Sequence, residues 1–347
     1  MSAADHRLAE HVVRWQEMHG RNALPWQNTR DPYRVWLSEI MLQQTQVATV
    51  LDYFARFLHR FPNVQSLAAG SLDDALALWG GLGYYSRARN LHACARQVVA
   101  VHGGVFPGTA EALQALPGVG RSTAGAIAAL CFGERVAILD GNVKRVLTRV
   151  LGFDADLAVA ANERLLWDLA TGLLPRRHLD TAMQRYTQGM MDLGATVCLA
   201  RNPLCLVCPV SSMCVAGRAG APEKYPVKTR KLKRSAQSLW LLWAETPDKS
   251  VYLQKRPTPG VWAGLHCFLL FDGADALAQA VPEDWRSALQ DAPAFKHVLT
   301  HKDLHLHPVR VQLPAAALAR LGGEWFAAGQ WPHIGLPAPV RKLLLQA

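Results

Sequence analysis

One stretch constrains the fold of this chain more than any other. From Leu116 it reads Leu-Pro-Gly-Val-Gly-Arg-Ser-Thr-Ala-Gly-Ala, runs through small apolar residues to Gly133, and ends in Val136-Ala-Ile-Leu-Asp140. Gly118 and Gly120 bracket Val119 in a tight turn, where glycine accepts positive φ and has no Cβ to hold a ligand away. Ser122 or Thr123 is expected to cap the helix that follows. Backbone N–H groups would then lie beside a helix N-terminus, a site suited to a phosphate oxygen. Ala124, Ala126, Ile127, Ala129 and Leu130 line that helix, so it packs closely on a neighbour, and Gly133 ends it. Taken singly, each half has an ordinary explanation. Pro-Gly-x-Gly is a common helix–helix turn, and Asp140 before Gly-Asn-Val-Lys-Arg is an ordinary N-cap.

Four of the seven cysteines crowd into Cys198-x6-Cys205-x2-Cys208-x5-Cys214. The N-terminus lacks the apolar core of an export signal, so crowded cysteines point to metal rather than disulfides. Zinc is the generic reading of four thiolates. Zinc knuckles come as two Cys-x2-Cys pairs, and only one is present here. The long first gap, with Pro203 and Pro209, suits a wider loop around a cubane iron–sulfur cluster. Cys94, Cys131 and Cys267 stand alone and read as buried bystanders.

The chain has 347 residues, half of them hydrophobic, which suits two globular domains. No apolar run is long enough to cross a bilayer, and a cytoplasmic protein is expected. A net charge of +10 suits a polyanionic partner, a membrane surface or simple solubility.

Residues from about 7 to 215 read as helical. Leu8, Val12 and Trp15 fall on one face of a first helix, and Asp31-Pro32 reads as a cap followed by a first-turn proline. Composition shifts near Ala221. The segment Glu223 to Arg234 holds six basic residues and one acidic residue, and reads either as a solvated linker or as one that tracks phosphates. Strand patterns follow. Leu304, Leu306, Val309, Val311 and Leu313 alternate with polar residues and slip at Pro308, which predicts a half-buried strand with a bulge or at an edge. The expected division is a helical domain over 1–221, with a hairpin at about 112–133 and the cysteine loop at 198–214. A basic linker over 222–236 and a mixed domain over 237–347 complete it.

Glu39 lies inside the apolar run Trp36-Leu-Ser-Glu-Ile-Met-Leu42. Burial would penalise its anion and raise its pKa, making a general acid. Asp140, at a helix N-terminus with backbone donors nearby, should stay ionised. Two carboxylates in opposed environments suit cleavage of a glycosidic bond, one protonating the leaving group and one steadying a sugar cation. The plain alternative is that Glu39 pairs with a core arginine or faces solvent.

The hairpin and its aspartate together resemble the helix-hairpin-helix Gly/Pro-Asp superfamily of DNA base-excision glycosylases. The cysteine spacing resembles the cluster loop of its endonuclease III and adenine glycosylase branches. Four motifs sharpen the likeness: Ser38-Glu-Ile-Met-Leu-Gln-Gln-Thr-Gln-Val47, Trp79-Gly-Gly-Leu-Gly-Tyr-Tyr-Ser-Arg87, Leu139-Asp-Gly-Asn-Val-Lys-Arg-Val146 and the cysteine loop. In this order they are similar to the adenine DNA glycosylase family, over essentially the whole chain. The resemblance implies an all-α helix-hairpin-helix glycosylase domain with an iron–sulfur loop, followed by an α+β Nudix-like C-terminal domain. It implies a 4Fe–4S cluster on Cys198, Cys205, Cys208 and Cys214. The partner it implies is double-stranded DNA carrying adenine opposite 8-oxoguanine or guanine, bound by a monomer with no membrane involved.

The resemblance also assigns roles. Glu39 would protonate adenine at N7, Asp140 would stabilise the sugar cation, and Asn142 would help hold Asp140 and the water. Trp26, Gln27, Leu42, Val47 and Gln188 would line the pocket for the extruded base. Gln44 and Tyr84 would wedge into the base stack. Gly118, Val119 and Gly120 would hold a phosphate. Ser122 stands where the endonuclease III branch carries a lysine that forms a Schiff base, so base release without strand cleavage is expected. In the C-terminal domain, Leu299, Thr300 and His301 align with a Phe-Ser-His stretch that reaches the lesion. Thr300 keeps the hydroxyl, whereas Leu299 loses aromatic stacking. His297, His301, His305 and His307 read as a wet hairpin face. The Arg-Glu-x-x-Glu-Glu box of a working Nudix hydrolase is missing after Gly264, so a binding domain is expected. Two alternatives stay open: an oxidised-pyrimidine glycosylase and lyase of the endonuclease III type, and a non-catalytic iron–sulfur protein that binds DNA.

Overall fold

The computed structural model describes residues 4–27, 29–229 and 233–346. Arg230 and Lys231 of the expected linker lie outside the described residues. Among the described residues eleven helices come first. They are α1 (Ala4–His19), α2 (Pro32–Leu42), α3 (Val47–Arg60), α4 (Val64–Ala69), α5 (Leu72–Leu78) and α6 (Ser86–His102). After them come α7 (Ala110–Gln114), α8 (Arg121–Phe132), α9 (Gly141–Leu151), α10 (Ala160–Gly172) and α11 (Leu179–Thr196). A short α12 (Val215–Arg218) follows the cysteine loop. The chain divides into two compact units. One holds residues 1–54, 63–65 and 93–231; the other holds 55–62, 66–92 and 232–347.

In the first unit α8 is the central element, packed against α2, α7 and α11. Its small residues permit this: Ala124, Ala126, Ile127, Ala128 and Ala129 are all buried. Gly125 cannot be enlarged, because a Cβ there would lie 2.7 Å from the Ala137 carbonyl oxygen. The link that delivers Asp140 therefore presses directly on the α8 backbone. Leu8 and Val12 of α1 are buried, as their spacing predicts. Asp31 caps α2, its carboxylate accepting from the Tyr33 amide at 3.0 Å with Pro32 in the first turn.

The stretch after the cysteine loop is tied down along much of its length. The Leu157 amide donates to the Val227 carbonyl at 3.1 Å, and the buried Arg149 donates to the Tyr225 carbonyl at 3.3 Å. Thr229 bonds the carboxylate of Asp156. The first half of the basic segment is thus docked rather than solvated.

The second unit is organised on a mixed sheet. Its strands are β1 (Ser235–Glu245), β2 (Val251–Lys255), β3 (His266–Cys267), β4 (Leu269–Phe271), β5 (Gln290–Asp291), β6 (Phe295–Val298), β7 (Lys302–Gln312) and β8 (Glu324–Phe326). The long strands β1 and β7 run parallel in unbroken register from Ser235↔Lys302 to Glu245↔Gln312. Leu242, Ala244, Val309 and Val311 point from them into a core closed by Tyr252 and Leu277.

Pro308 does not mark an edge or a bulge. It sits in the sheet interior, opposite Leu241 on β1. The strand on its other side is broken where the missing N–H would matter: β5 ends at Asp291 and β6 begins at Phe295. The proline is accommodated by interrupting its neighbour rather than its own strand.

Candidate active site, cluster loop and lesion cleft

The hairpin turn places Gly118 at φ +74°, a left-handed position that suits glycine. Gly120 is different. It is the N-cap of α8 with φ −81°, and a Cβ there would meet nothing within 4 Å. Glycine at 120 therefore keeps the approach to the helix N-terminus open, and backbone conformation does not demand it. Neither Ser122 nor Thr123 caps this helix, which has no side-chain cap. The Ser122 hydroxyl instead accepts from the Leu139 amide at 3.1 Å, tying the first turn of α8 to the residue before Asp140.

Asp140 is the N-cap of α9 and accepts from the Val143 amide at 2.7 Å. Burial raises its pKa above the usual carboxylate range. The Val143 and Asn142 amides, Arg145 and Lys144 oppose the shift. Desolvation thus outweighs the cap in the direction of the shift. Glu39 on α2 moves much further. Burial, reinforced by the nearby Asp140 carboxylate, raises it to about 7. Some of its surface stays accessible even so. The same electrostatics reach Cys131, whose thiol is pushed up to about 12 by burial and by the charges of Asp31 and Glu39. No ion pair to Glu39 occurs among the described residues, so the core-arginine alternative is not what the fold provides.

Cys131 follows Leu130, which lines a polar cavity of about 380 Å³ together with Trp26, Gln27, Arg30, Arg185 and Gln188. Three of the five expected pocket residues meet there. Leu42 and Val47 do not line it and are half-buried elsewhere on α2 and α3. Both polar atoms of the Gln27 amide are buried with no hydrogen-bond partner among the described residues. A buried amide in that state is costly unless something binds to it. Arg30, Gln184 and Arg185 were missed from sequence because surface-type residues carry no periodic signal.

Asn142 is held by Arg145, which donates to its Oδ1 at 2.8 Å and to the Gly194 and Cys198 carbonyls at 2.6 and 2.7 Å. A Cβ on Gly194 would lie 2.5 Å from the Asn142 Cβ, so α9 and α11 touch at this point. One turn further on, Arg149 donates to the Leu199 and Ala200 carbonyls and to the Cys198 sulfur at 3.3 Å.

All four loop cysteines line one cavity of about 240 Å³. Two donors, Arg149 and the Gly217 amide, point at the sulfurs of Cys198 and Cys214. Such donors stabilise thiolates bound to iron. The residues present fit a cubane cluster. Cys94, Cys131 and Cys267 are buried away from this loop.

In the second unit a cleft of about 620 Å³ is lined by Gly81, Gly83 to Ser86, Arg89, Thr258 to Ala263 and His297 to His301. Tyr84 is 42% exposed at φ +48°, and its hydroxyl bonds that of Thr300. Leu299, Thr300 and His301 all line this cleft, as does Trp262, whose ring lies 6.0 Å from that of His297. His297 is therefore part of the cleft, and burial lowers its pKa. His307 is stacked on Trp240 at 4.4 Å, so the histidines do not form one wet face. Trp262 gave no sequence signal, being one tryptophan in a Gly/Pro-rich loop. Gln44, in the first unit, is also exposed with positive φ, at +57°. Both expected wedge residues thus hold strained backbone at the surface, a feature that clusters at functional sites.

Comparison with known proteins agrees with this anatomy. Residues 37–171 match the HhH-GPD superfamily of base excision DNA repair proteins. Residues 198–214 match the iron–sulfur binding domain of endonuclease III, and 240–346 match the NUDIX domain. The class is a helix-hairpin-helix DNA glycosylase that carries a 4Fe–4S cluster, with a Nudix-like domain appended. An adenine DNA glycosylase of Buchnera aphidicola is 36% identical over 338 residues, covering 96% of this chain and 95% of its own. That of Mus musculus is 48% identical over 215 residues, 59% of this chain and 41% of its own. A thermostable thymine-DNA glycosylase of known structure superposes with a TM-score of 0.54 at 26% identity, over 62% of this chain and 97% of its own. This chain belongs to the adenine DNA glycosylase family, enzymes of base excision repair that cleave N-glycosidic bonds in DNA.

Proposed function

We propose that this enzyme removes adenine mispaired with 8-oxoguanine, or with guanine, and leaves an abasic site without cutting the strand. The observation that carries the reading is the pairing of Glu39, poised near pH 7, with the Asp140 carboxylate that it senses. Glu39 donates its proton to N7 of the flipped adenine. The C1′–N9 bond then breaks, and its electron pair leaves with the base. Asp140 stabilises the sugar cation, as an ion pair or a transient ester to C1′. Water adds at C1′ and its proton returns to the Glu39 carboxylate, so the acid is regenerated. Asn142, held by Arg145, keeps Asp140 and the water in place.

Trp26, Gln27 and Gln188 form the base pocket, and Leu42 and Val47, which do not line that cavity, would meet the base only once DNA is bound. The open turn Gly118-Val119-Gly120 takes a phosphate at the α8 N-terminus. Ser122 offers a hydroxyl already engaged with Leu139, not an amine that could form an imine. Gln44 and Tyr84 enter the base stack. The cleft of Tyr84, Trp262, Leu299, Thr300 and His301 reads 8-oxoguanine. Cys198, Cys205, Cys208 and Cys214 would hold the cluster, which would brace the loop against α9. One chain carries both the acid–anion pair and the lesion cleft, so a monomer suffices. Functionally it divides into an excision domain over 1–221, a linker over 222–236 and a lesion-reading domain over 237–347, the last assisted by Gly81 to Arg89.

One assay tests the reading: duplexes bearing A:8-oxoguanine, A:G or thymine glycol, scored for released base and for strand breaks before alkali. Adenine release with unbroken strands is expected. No release from protein with intact cluster absorbance, or a strong borohydride-trapped adduct, would overturn it.

A further inference from the structure

Gln188 on α11 lines the base pocket, and its amide is not free to turn. Its Nε2 lies 3.0 Å from Asp192 Oδ1, one turn further along the helix. Asp192 has no exposed side-chain surface and is committed as a carboxylate. Arg21 Nε approaches Oδ1 at 2.7 Å, and the Arg21 amide approaches Oδ2 at 3.0 Å. An ionised carboxylate only accepts. Gln188 must therefore present its NH2 to Asp192, which leaves its carbonyl oxygen for the pocket. That oxygen has no donor among the described residues. Gln27 makes the contrast, since neither end of its amide has a partner among the described residues.

We propose that Asp192, held by Arg21, is a positioning residue that sets base specificity: it fixes Gln188 as a pure acceptor, so the pocket takes a 6-aminopurine and rejects a 6-oxopurine. The inference rests on the adenine reading above and explains how that base is chosen. The exocyclic amine of adenine donates to the Gln188 oxygen. A carbonyl at the same position sets two acceptors against each other and leaves both unpaired in a buried site. A pocket built this way spares guanine as well as hypoxanthine.

The test uses the full chain under single-turnover conditions. Duplexes carry adenine, hypoxanthine or unsubstituted purine opposite 8-oxoguanine. Purine has no group at position 6 and reports general damage to the site. In Asp192→Asn the side-chain NH2 can face Gln188 and let that amide reverse. The adenine-to-hypoxanthine rate ratio, each rate scaled to purine, is expected to fall about tenfold. A merely structural role would lower all three rates together and leave the ratio where it was. Gln188→Leu keeps the Arg21–Asp192 pair and removes the acceptor, so its ratio should fall as well; it decides the matter if Asp192→Asn does not fold. An unchanged ratio in either folded variant overturns the inference. Failure of the wild-type chain to release adenine at all would count instead against the underlying reading.

Discussion

The surroundings of Glu39 and the cleft around Tyr84 differ in how they treat water. Around Glu39 the fold removes solvent until a carboxyl group titrates near 7, and a second carboxylate nearby adds to the shift. Around Tyr84 the fold leaves an exposed ring and an exposed threonine hydroxyl on strained or looped backbone. Bond cleavage needs a displaced pKa, and here burial is the larger cause of it. Recognition needs groups that a DNA base can reach. The first region should therefore fail completely when one group changes, and the second should fail by degrees.

Asp140→Asn is the harshest way to test that contrast. Adenine release should fall about a thousandfold as the charge opposing the sugar cation disappears, whereas lesion duplex binding by gel shift persists. Near-normal turnover in that variant would break the contrast outright. Glu39→Gln should lower release about a hundredfold. Stability should move the other way. A carboxyl raised from 4.5 to about 7 contributes stability below pH 4.5 that is lost as pH rises through 7. Removing the charge should raise the unfolding free energy at pH 8 by about 2 kcal/mol, read from urea denaturation. No gain would mean that Glu39 is better solvated than the fold implies.

The cleft should give smaller numbers. Tyr84→Ala should cut the preference for A:8-oxoguanine over A:G about tenfold, with little change in cluster absorbance. Leu299→Phe should sharpen that preference about threefold by restoring a ring. A thousandfold collapse in either variant would mean that reading and cleavage are not separable as argued.

Features that depend on neighbours in sequence were legible. The Asp31–Pro32 helix start and the αL stop at Gly133 follow from local rules, and the structure has both. The order of four motifs pointed to the family. Features set by distant partners were not legible. Ser122 seemed a cap, but its partner is the amide of Leu139, 17 residues on. Pro308 suggested an edge because nothing local shows that β5 and β6 break opposite it. The cap on Asp140 was legible in the sequence, but the burial that raises its pKa was not. Asp192 passed unnoticed within Met190-Met-Asp-Leu-Gly194, since only the fold brings Arg21 to it.

The pH dependence of single-turnover adenine release from an A:8-oxoguanine duplex tests the central claim most directly. With Glu39 as a proton donor of pKa about 7, the rate should fall about tenfold per pH unit above 7. That limb should be absent from the residual activity of Glu39→Gln. A wild-type rate that stays level to pH 9, or rises, would contradict the account.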